Sequence, residues 1–294
     1  MGNYSFVDRN LILCQIDKPS LVKRMLDIPL LTDYMLFLTN QTMFEQFCIV
    51  NLIIGFIMMI YFAFFSMPYG KNYTRGRAYL KVEVKDRIAF LLANIPGPII
   101  YILLTVLWPR GEIFQIPSLL YIGFYIHRAI IYPFFRRPQS KPWPLESLIY
   151  FSVTNFLEGS ILARIHVFET KPYPIIVQIL FAIVFIALAV VTAYYDYQIC
   201  QLRTHGDSGY RIPQGTLFKY ISGPNYLFEL LTWTVYMLFV QFNLIGASFG
   251  LWLLVNITGR AEASHSWYNS FFKTKYPQDR TAYLPFIKNS RWFL

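Results

Sequence analysis

The chain has 294 residues, of which 55% are hydrophobic and 14% charged, against roughly 25% charged for a soluble domain, so an ordinary soluble protein is excluded. A net charge of +10 would suit nucleic acid, but in a membrane chain basic residues first report orientation, and no nucleic-acid partner is expected. Three widely spaced cysteines (Cys14, Cys48, Cys200) and four scattered histidines (His127, His166, His205, His265) give neither a disulfide framework nor a metal cluster, and no metal is expected.

A helical span needs about 20 mostly apolar residues. Seven stretches qualify, at about 47–66, 88–108, 115–135, 146–166, 174–197, 226–242 and 243–259. The expected fold is therefore all-α and polytopic, with a seven-helix membrane domain over 47–294 and an N-terminal extension over 1–46. Of the 26 Lys and Arg, 18 fall after spans one, three, five and seven, seven fall on the other side, and Arg128 lies inside a span. The basic side, with the C-terminus, is expected in the cytosol or the mitochondrial matrix.

Residues 1–46 mix charges such as Asp8, Arg9, Asp17 and Lys18 with short apolar runs. They hold no signal core, their acids argue against a transit peptide, and a folded or partner-bound segment is expected. Span one ends in M-P-Y-G-K, where Tyr69 and Lys71 are either an interfacial aromatic with a snorkelling lysine or ligand contacts.

Span two contains A-N-I-P-G-P. Pro96 and Pro98 predict a kink, and Asn94 beside them faces a cavity or a neighbouring helix. In span three Tyr125, Arg128 and Tyr132 share one helical face. An arginine at a helix centre costs about 2.5–3.5 kcal/mol, so Arg128 must pair, snorkel or line water. Span four carries Thr154 and Glu158 at i, i+4, the glutamate being either functional or held neutral by hydrogen bonds.

Span five is apolar until Thr192, after which Asp196 and Arg203 lie on one face, able to brace each other or to grip a ligand. The loop that follows supplies Tyr210, Arg211 and Gln214 among turn-forming glycines and Pro213, and Asn225 and Glu229 open span six. Together these donors suit an anionic ligand at a membrane surface. No G-x-G-x-x-G occurs anywhere, which excludes a Rossmann site. Span seven exits through Arg260 and His265.

An ordered set of short motifs runs through residues 65–287: Y-G-K at Tyr69, H-R at His127, D-Y-x-x-x-x-L-R from Asp196, Y-R-I-P-Q-G from Tyr210, S-G-x-N-Y-L-x-E from Ser222, R-A at Arg260, H-x-W-Y from His265 and Y-P-x-x-R from Tyr276. In that order they resemble the steroid 5α-reductase family of membrane enone and enoyl reductases. The resemblance implies seven spans and an NADPH site formed by the last three helices. The binding residues it implies are Tyr69, Arg128, Asp196, Arg203, Tyr210, Arg211, Asn225, Glu229, Arg260 and His265. It further implies hydride transfer to a C=C bond conjugated to a carbonyl, assisted by a tyrosine on span three and a glutamate on span two. Tyr125 matches the tyrosine, but Asn94 stands in the glutamate's place, Thr192 replaces a family asparagine, and Ser264 replaces a histidine. Asparagine cannot give up a proton at neutral pH, and loss of a general acid costs about 10²–10⁴ in rate. Either Tyr125 works alone or Glu158, the nearby acid on span four, substitutes.

Two readings follow. One is an NADPH-dependent reductase of a steroid or long-chain lipid. The other is a member that has lost catalysis and serves as a structural or nucleotide- or lipid-binding subunit of a larger membrane assembly. The membrane is that of the endoplasmic reticulum or the mitochondrial inner membrane.

Overall fold

The computed structural model describes residues 28–65, 72–73, 79–107, 115–136, 140–169, 173–202, 209–240 and 243–285. Helix α1 (Pro29–Thr39) starts on a proline in its first turn, where no backbone N–H is needed. Asn40 then caps α2 (Gln41–Phe64), accepting from Met43 N at 3.0 Å. Phe37 of α1 meets Phe44 and Phe47 edge-on at 5.9 and 5.7 Å, so packing is continuous across residue 46.

The predicted kink of span two is present. Helix α3 (Asp86–Asn94) stops before Ile95, and α4 (Pro96–Leu107) restarts on the proline. The third stretch is α5 (Ile116–Tyr125), a π-helical segment (Ile126–Ile131) and α6 (Tyr132–Phe135). The fourth is α7 (Leu145–Arg164), which runs into a second π-helical segment, Ile165–Glu169. Helices α8 (Ile175–Gln201), α9 (Pro224–Phe239) and α10 (Leu244–Phe272) complete the bundle. A two-residue ribbon, β1 (Glu83–Val84) against β2 (Trp143–Pro144), ties the loops at the basic side. There Asp86 takes two hydrogen bonds from Arg136, at 2.7 and 2.8 Å, and one from Trp143 Nε1 at 2.8 Å.

Among the described residues four helices are long and apolar enough to cross a membrane: Gln41–Phe62, Asp86–Leu107, Ile175–Gln201 and Leu244–Lys275. The chain is an all-α integral membrane protein. The other three stretches read as spans are helical but fall short of that measure. Helix α9 has only 16 residues, α7 carries Glu146, Glu158 and Arg164, and the 116–135 stretch is divided by its π segment. The outer face of α8 presents Ile176, Leu180, Ile183 and Val190, as a lipid-facing helix should. Inside, Tyr101, Tyr121, Trp233, Tyr236 and Phe249 form an aromatic core, and Asn51 Nδ2 donates to Ser248 Oγ at 2.6 Å to join α2 to α10.

Helices α4 and α7 touch backbone to backbone. A Cβ on Gly97 would lie 2.8 Å from the Asn155 carbonyl oxygen, and one on Gly159 would overlap the Gly97 carbonyl. Gly159→Ala is therefore expected to lower stability by about 1–3 kcal/mol through overpacking, read as a lower Tm in detergent. Gly123→Ala, with nothing within 4 Å, should leave Tm unchanged.

The residues after α10 fold back onto the loop that enters α9. Ile221 and Thr281 form a parallel bridge, with Ser222 N donating to Thr281 O at 2.8 Å and Thr281 N to Tyr220 O at 3.0 Å. Arg280 Nη1 donates to Pro213 O at 2.9 Å. Burial, reinforced by the Glu262 carboxylate, pushes the Tyr283 phenol up to about 12, and its ring packs beside Ala261 and Ala282.

Candidate functional site

Four helical stretches converge on one ionic array. Arg128 sits on the π segment after α5, where a widened turn replaces the regular α ladder; such segments are frequent at functional sites. Its Nη1 donates to Asp196 Oδ2 of α8 at 3.0 Å, and its Nη2 lies 3.3 Å from Glu229 Oε1 of α9. Arg260 of α10 donates from Nη2 to the same Glu229 oxygen at 3.0 Å and from Nε to Asn256 O at 3.1 Å. Asn225 Nδ2 donates to Asp196 Oδ1 at 2.9 Å. The Arg128 guanidinium is also flanked by the Phe90 and Tyr132 rings, at 5.5 and 5.7 Å. A charge buried at this depth requires paired and hydrogen-bonded partners, and here two carboxylates and two guanidiniums supply them for one another.

The array divides two cavities. The larger, about 230 Å³, opens on the basic side; Tyr210, Arg211, Asp196, Asn225 and Ser264 are on its wall. The smaller, about 70 Å³, includes Asn94, Tyr125, Asn155, Glu158 and Trp233. Phe90, Arg128 and Arg260 belong to both linings. The face of Tyr125, Arg128 and Tyr132 is buried as the spacing predicts, and it is shared out: Tyr125 faces the smaller cavity, Tyr132 the larger, and Arg128 both.

Of the residues singled out in the sequence, Arg128, Asp196, Asn225, Glu229 and Arg260 meet directly, and Tyr210 and Arg211 line the larger cavity beside them. Tyr210 is held by ring contacts to Trp267 and Phe271 at 4.5 and 5.3 Å. His265 is on neither wall. Its ring hydrogen-bonds Ser222 Oγ at 2.6 Å and Asn269 Nδ2 at 2.9 Å, supporting the turn into α9. Thr192 is buried, its hydroxyl donating to Leu188 O at 2.9 Å. Tyr69, Lys71 and Arg203 lie outside the described residues. No group of three potential metal ligands occurs among the described residues.

Asn94 and Tyr125 face the same small cavity, differently engaged. Asn94 Nδ2 donates to Phe90 O of its own helix at 2.7 Å, as a C-terminal residue of α3 readily does. Tyr125 Oη donates to Asn155 Oδ1 at 3.0 Å, and Asn155 Nδ2 donates to Phe151 O at 2.9 Å. Asn155 was not singled out from the sequence. Its signal was its i, i+3 spacing from Glu158, which places both on one face of α7. The phenol is thus aimed by an asparagine that is itself fixed to the backbone, in a cavity with an aromatic wall from Trp233, 6.1 Å from the Tyr125 ring.

Residues 143–288 match a family profile described as 3-oxo-5-alpha-steroid 4-dehydrogenase. The chain is 30% identical over 234 residues to a 3-oxo-5-alpha-steroid 4-dehydrogenase 2 of Sus scrofa, covering 76% of this chain and 90% of that one. It is 29% identical to a steroid 5-alpha-reductase DET2 of Gossypium hirsutum, over 85% and 99% of the two chains, and 27% identical to its counterpart in Solanum lycopersicum, over 86% and 100%. The ordered motifs, the helical bundle and these likenesses over most of both chains agree: the chain belongs to the steroid 5α-reductase family.

Proposed function

We propose that the protein is an NADPH-dependent reductase of a C=C bond conjugated to a carbonyl, in a steroid or a long-chain lipid. It would work as a seven-span protein with its basic loops in the cytosol or matrix. The observation that carries this reading is the ionic array of Arg128, Asp196, Glu229 and Arg260 at the junction of two cavities, in a chain of this family.

The lining of the larger cavity supports a dinucleotide as its ligand. Arg128, Arg136, Lys141, Arg211 and Arg260 are on its wall with Asp196 as the acid among them, a balance that suits phosphates. Among the described residues no donor reaches the buried Asn225 Oδ1, an acceptor that a carboxamide N–H could satisfy. Bound there, a reduced nicotinamide would supply the hydride. The chain's own residues then have three tasks: the cations hold the dinucleotide, Trp233 and Phe124 give the smaller cavity an apolar wall for the substrate, and Tyr125 hydrogen-bonds the substrate carbonyl oxygen as negative charge grows there. An apolar substrate reaching the smaller cavity from the lipid side accords with a chain embedded in its substrate's solvent.

The test is NADPH binding followed by NADPH oxidation with a panel of steroid enones and enoyl thioesters, using the purified protein in detergent. Saturable binding and substrate-dependent oxidation are expected; failure to bind NADPH would sink the reading. A second reading is favoured by one observation, the Asn94 amide turned onto its own helix: a member without catalysis, retained as a nucleotide- or lipid-binding subunit of a larger assembly in the endoplasmic reticulum or mitochondrial inner membrane. Binding without turnover, together with stoichiometric co-purification of other membrane subunits, would support it.

A further inference from the structure

The smaller cavity contains a second acid that the array does not use. Glu158 on α7 is 7% exposed and lines that cavity with Asn94, Tyr125 and Asn155. Within the described residues no hydrogen bond or ion pair engages its carboxyl group. Asp196 and Glu229, the other carboxyls buried at this junction, each have an arginine within 3.3 Å. The Arg260 guanidinium, whose field reaches Glu158, is hydrogen-bonded to Glu229 instead. A carboxyl taken from water without a cation against it is a proton donor rather than a salt-bridge anion. Asn155, one turn before Glu158, receives the Tyr125 hydroxyl, so one face of α7 presents both the phenol's anchor and the acid.

We infer that Glu158 is the proton donor of this site, supplying from α7 the acidity that Asn94 on α3 lacks. The inference rests on the reductase reading above. In the step, hydride from the reduced nicotinamide forms a C–H bond at the β carbon, and the π pair of the C=C bond moves toward the carbonyl. The oxygen, held by Tyr125, takes the Glu158 proton as the Glu158 O–H bond breaks. The enol returns to the ketone by exchanging that proton for one at the α carbon, so one hydride and one proton are added in all, and the carboxylate regains its proton from water.

The decisive variants are Glu158→Gln, Asn94→Glu and the two combined, in the full chain in detergent, with steroid enones and enoyl thioesters as substrates and NADPH as reductant. Glu158→Gln should lower kcat by about 10²–10⁴ while leaving the NADPH Kd and the Tm unchanged. Asn94→Glu in that background should recover at least about tenfold of the lost kcat, because it returns a carboxyl to the same cavity, from α3. An infrared difference spectrum of wild type against Glu158→Gln, independent of turnover, should show one protonated-carboxyl stretch that shifts in deuterium oxide. Wild-type kcat in Glu158→Gln, or no such band, overturns the inference. If the wild type turns over none of the panel, the reductase reading falls by itself, and the infrared band still decides whether Glu158 carries a proton in the cavity.

Discussion

Replacing Glu229 with alanine is expected to lower folding stability by about 3–5 kcal/mol, seen as a large drop of Tm in detergent. Glu229 Oε1 lies 3.0 Å from Arg260 and 3.3 Å from Arg128, so one carboxylate serves guanidiniums from two other parts of the bundle. Without it the two cations face each other across a buried space. Arg128 keeps Asp196 at 3.0 Å, but that single carboxylate then has to offset an array with two positive charges. Glu229→Gln should fall between the two, since an amide oxygen still accepts hydrogen bonds but brings no charge. Because Arg128 and Arg260 line both cavities, NADPH affinity should fall along with Tm. A Glu229→Ala protein as stable as wild type would mean that the array does not form.

Tyr125→Phe should separate catalysis from stability. The phenol donates one hydrogen bond, to Asn155 Oδ1 at 3.0 Å, and losing a bond of this kind costs about 1 kcal/mol. As a donor to a developing enolate the same hydroxyl contributes more, and its removal is expected to lower kcat about 10²–10³-fold. The measurement is kcat and KM for NADPH oxidation beside the Tm of the same sample. A fall in kcat with KM and Tm nearly constant identifies a group acting on the transition state. A loss of kcat matched by a comparable loss of Tm would place Tyr125 among the structural tyrosines, with Tyr101 and Tyr121.

Much of the helical layout was legible in the sequence because lipid-facing helices are long apolar runs, and proline marks their breaks: the interruption at Ile95 follows from Pro96 and Pro98. That Arg128, Asp196, Asn225, Glu229 and Arg260 belong to one site is implied by the resemblance, whereas their pairing is only half legible. The sequence leaves Arg128 to pair, snorkel or line water and offers Arg203 as the brace of Asp196. Charged side chains in apolar helices need partners, and their ordered motifs fall on helices that pack together. What escaped depends on tertiary context. Whether the residues after Tyr125 wind as α or π depends on how Arg128 and Tyr132 must be aimed, which no local propensity encodes. His265 has the same residue type and motif whether it faces a ligand or braces Ser222. Asn155 is one asparagine among several until the Tyr125 hydroxyl is found against it. The three less apolar stretches, α9 among them, pass or fail as spans by length and composition alone, and their place in the bundle is set by neighbours.

The strand-like bridge between Ile221 and Thr281 also has a meaning in the time order of synthesis. Ser222 stands on the wall of the larger cavity, and its backbone and hydroxyl are bound to the carbonyl of Thr281, at 2.8 and 3.1 Å. That carbonyl is made after every helix of the bundle. A nascent chain can therefore complete α1 to α10 while this wall of its larger cavity is still unbraced. A molecule in which the stretch around Thr281 has not docked would lack these bonds at Ser222, so the shape of that wall is set by a residue 59 positions further along the chain than the helix entry it braces.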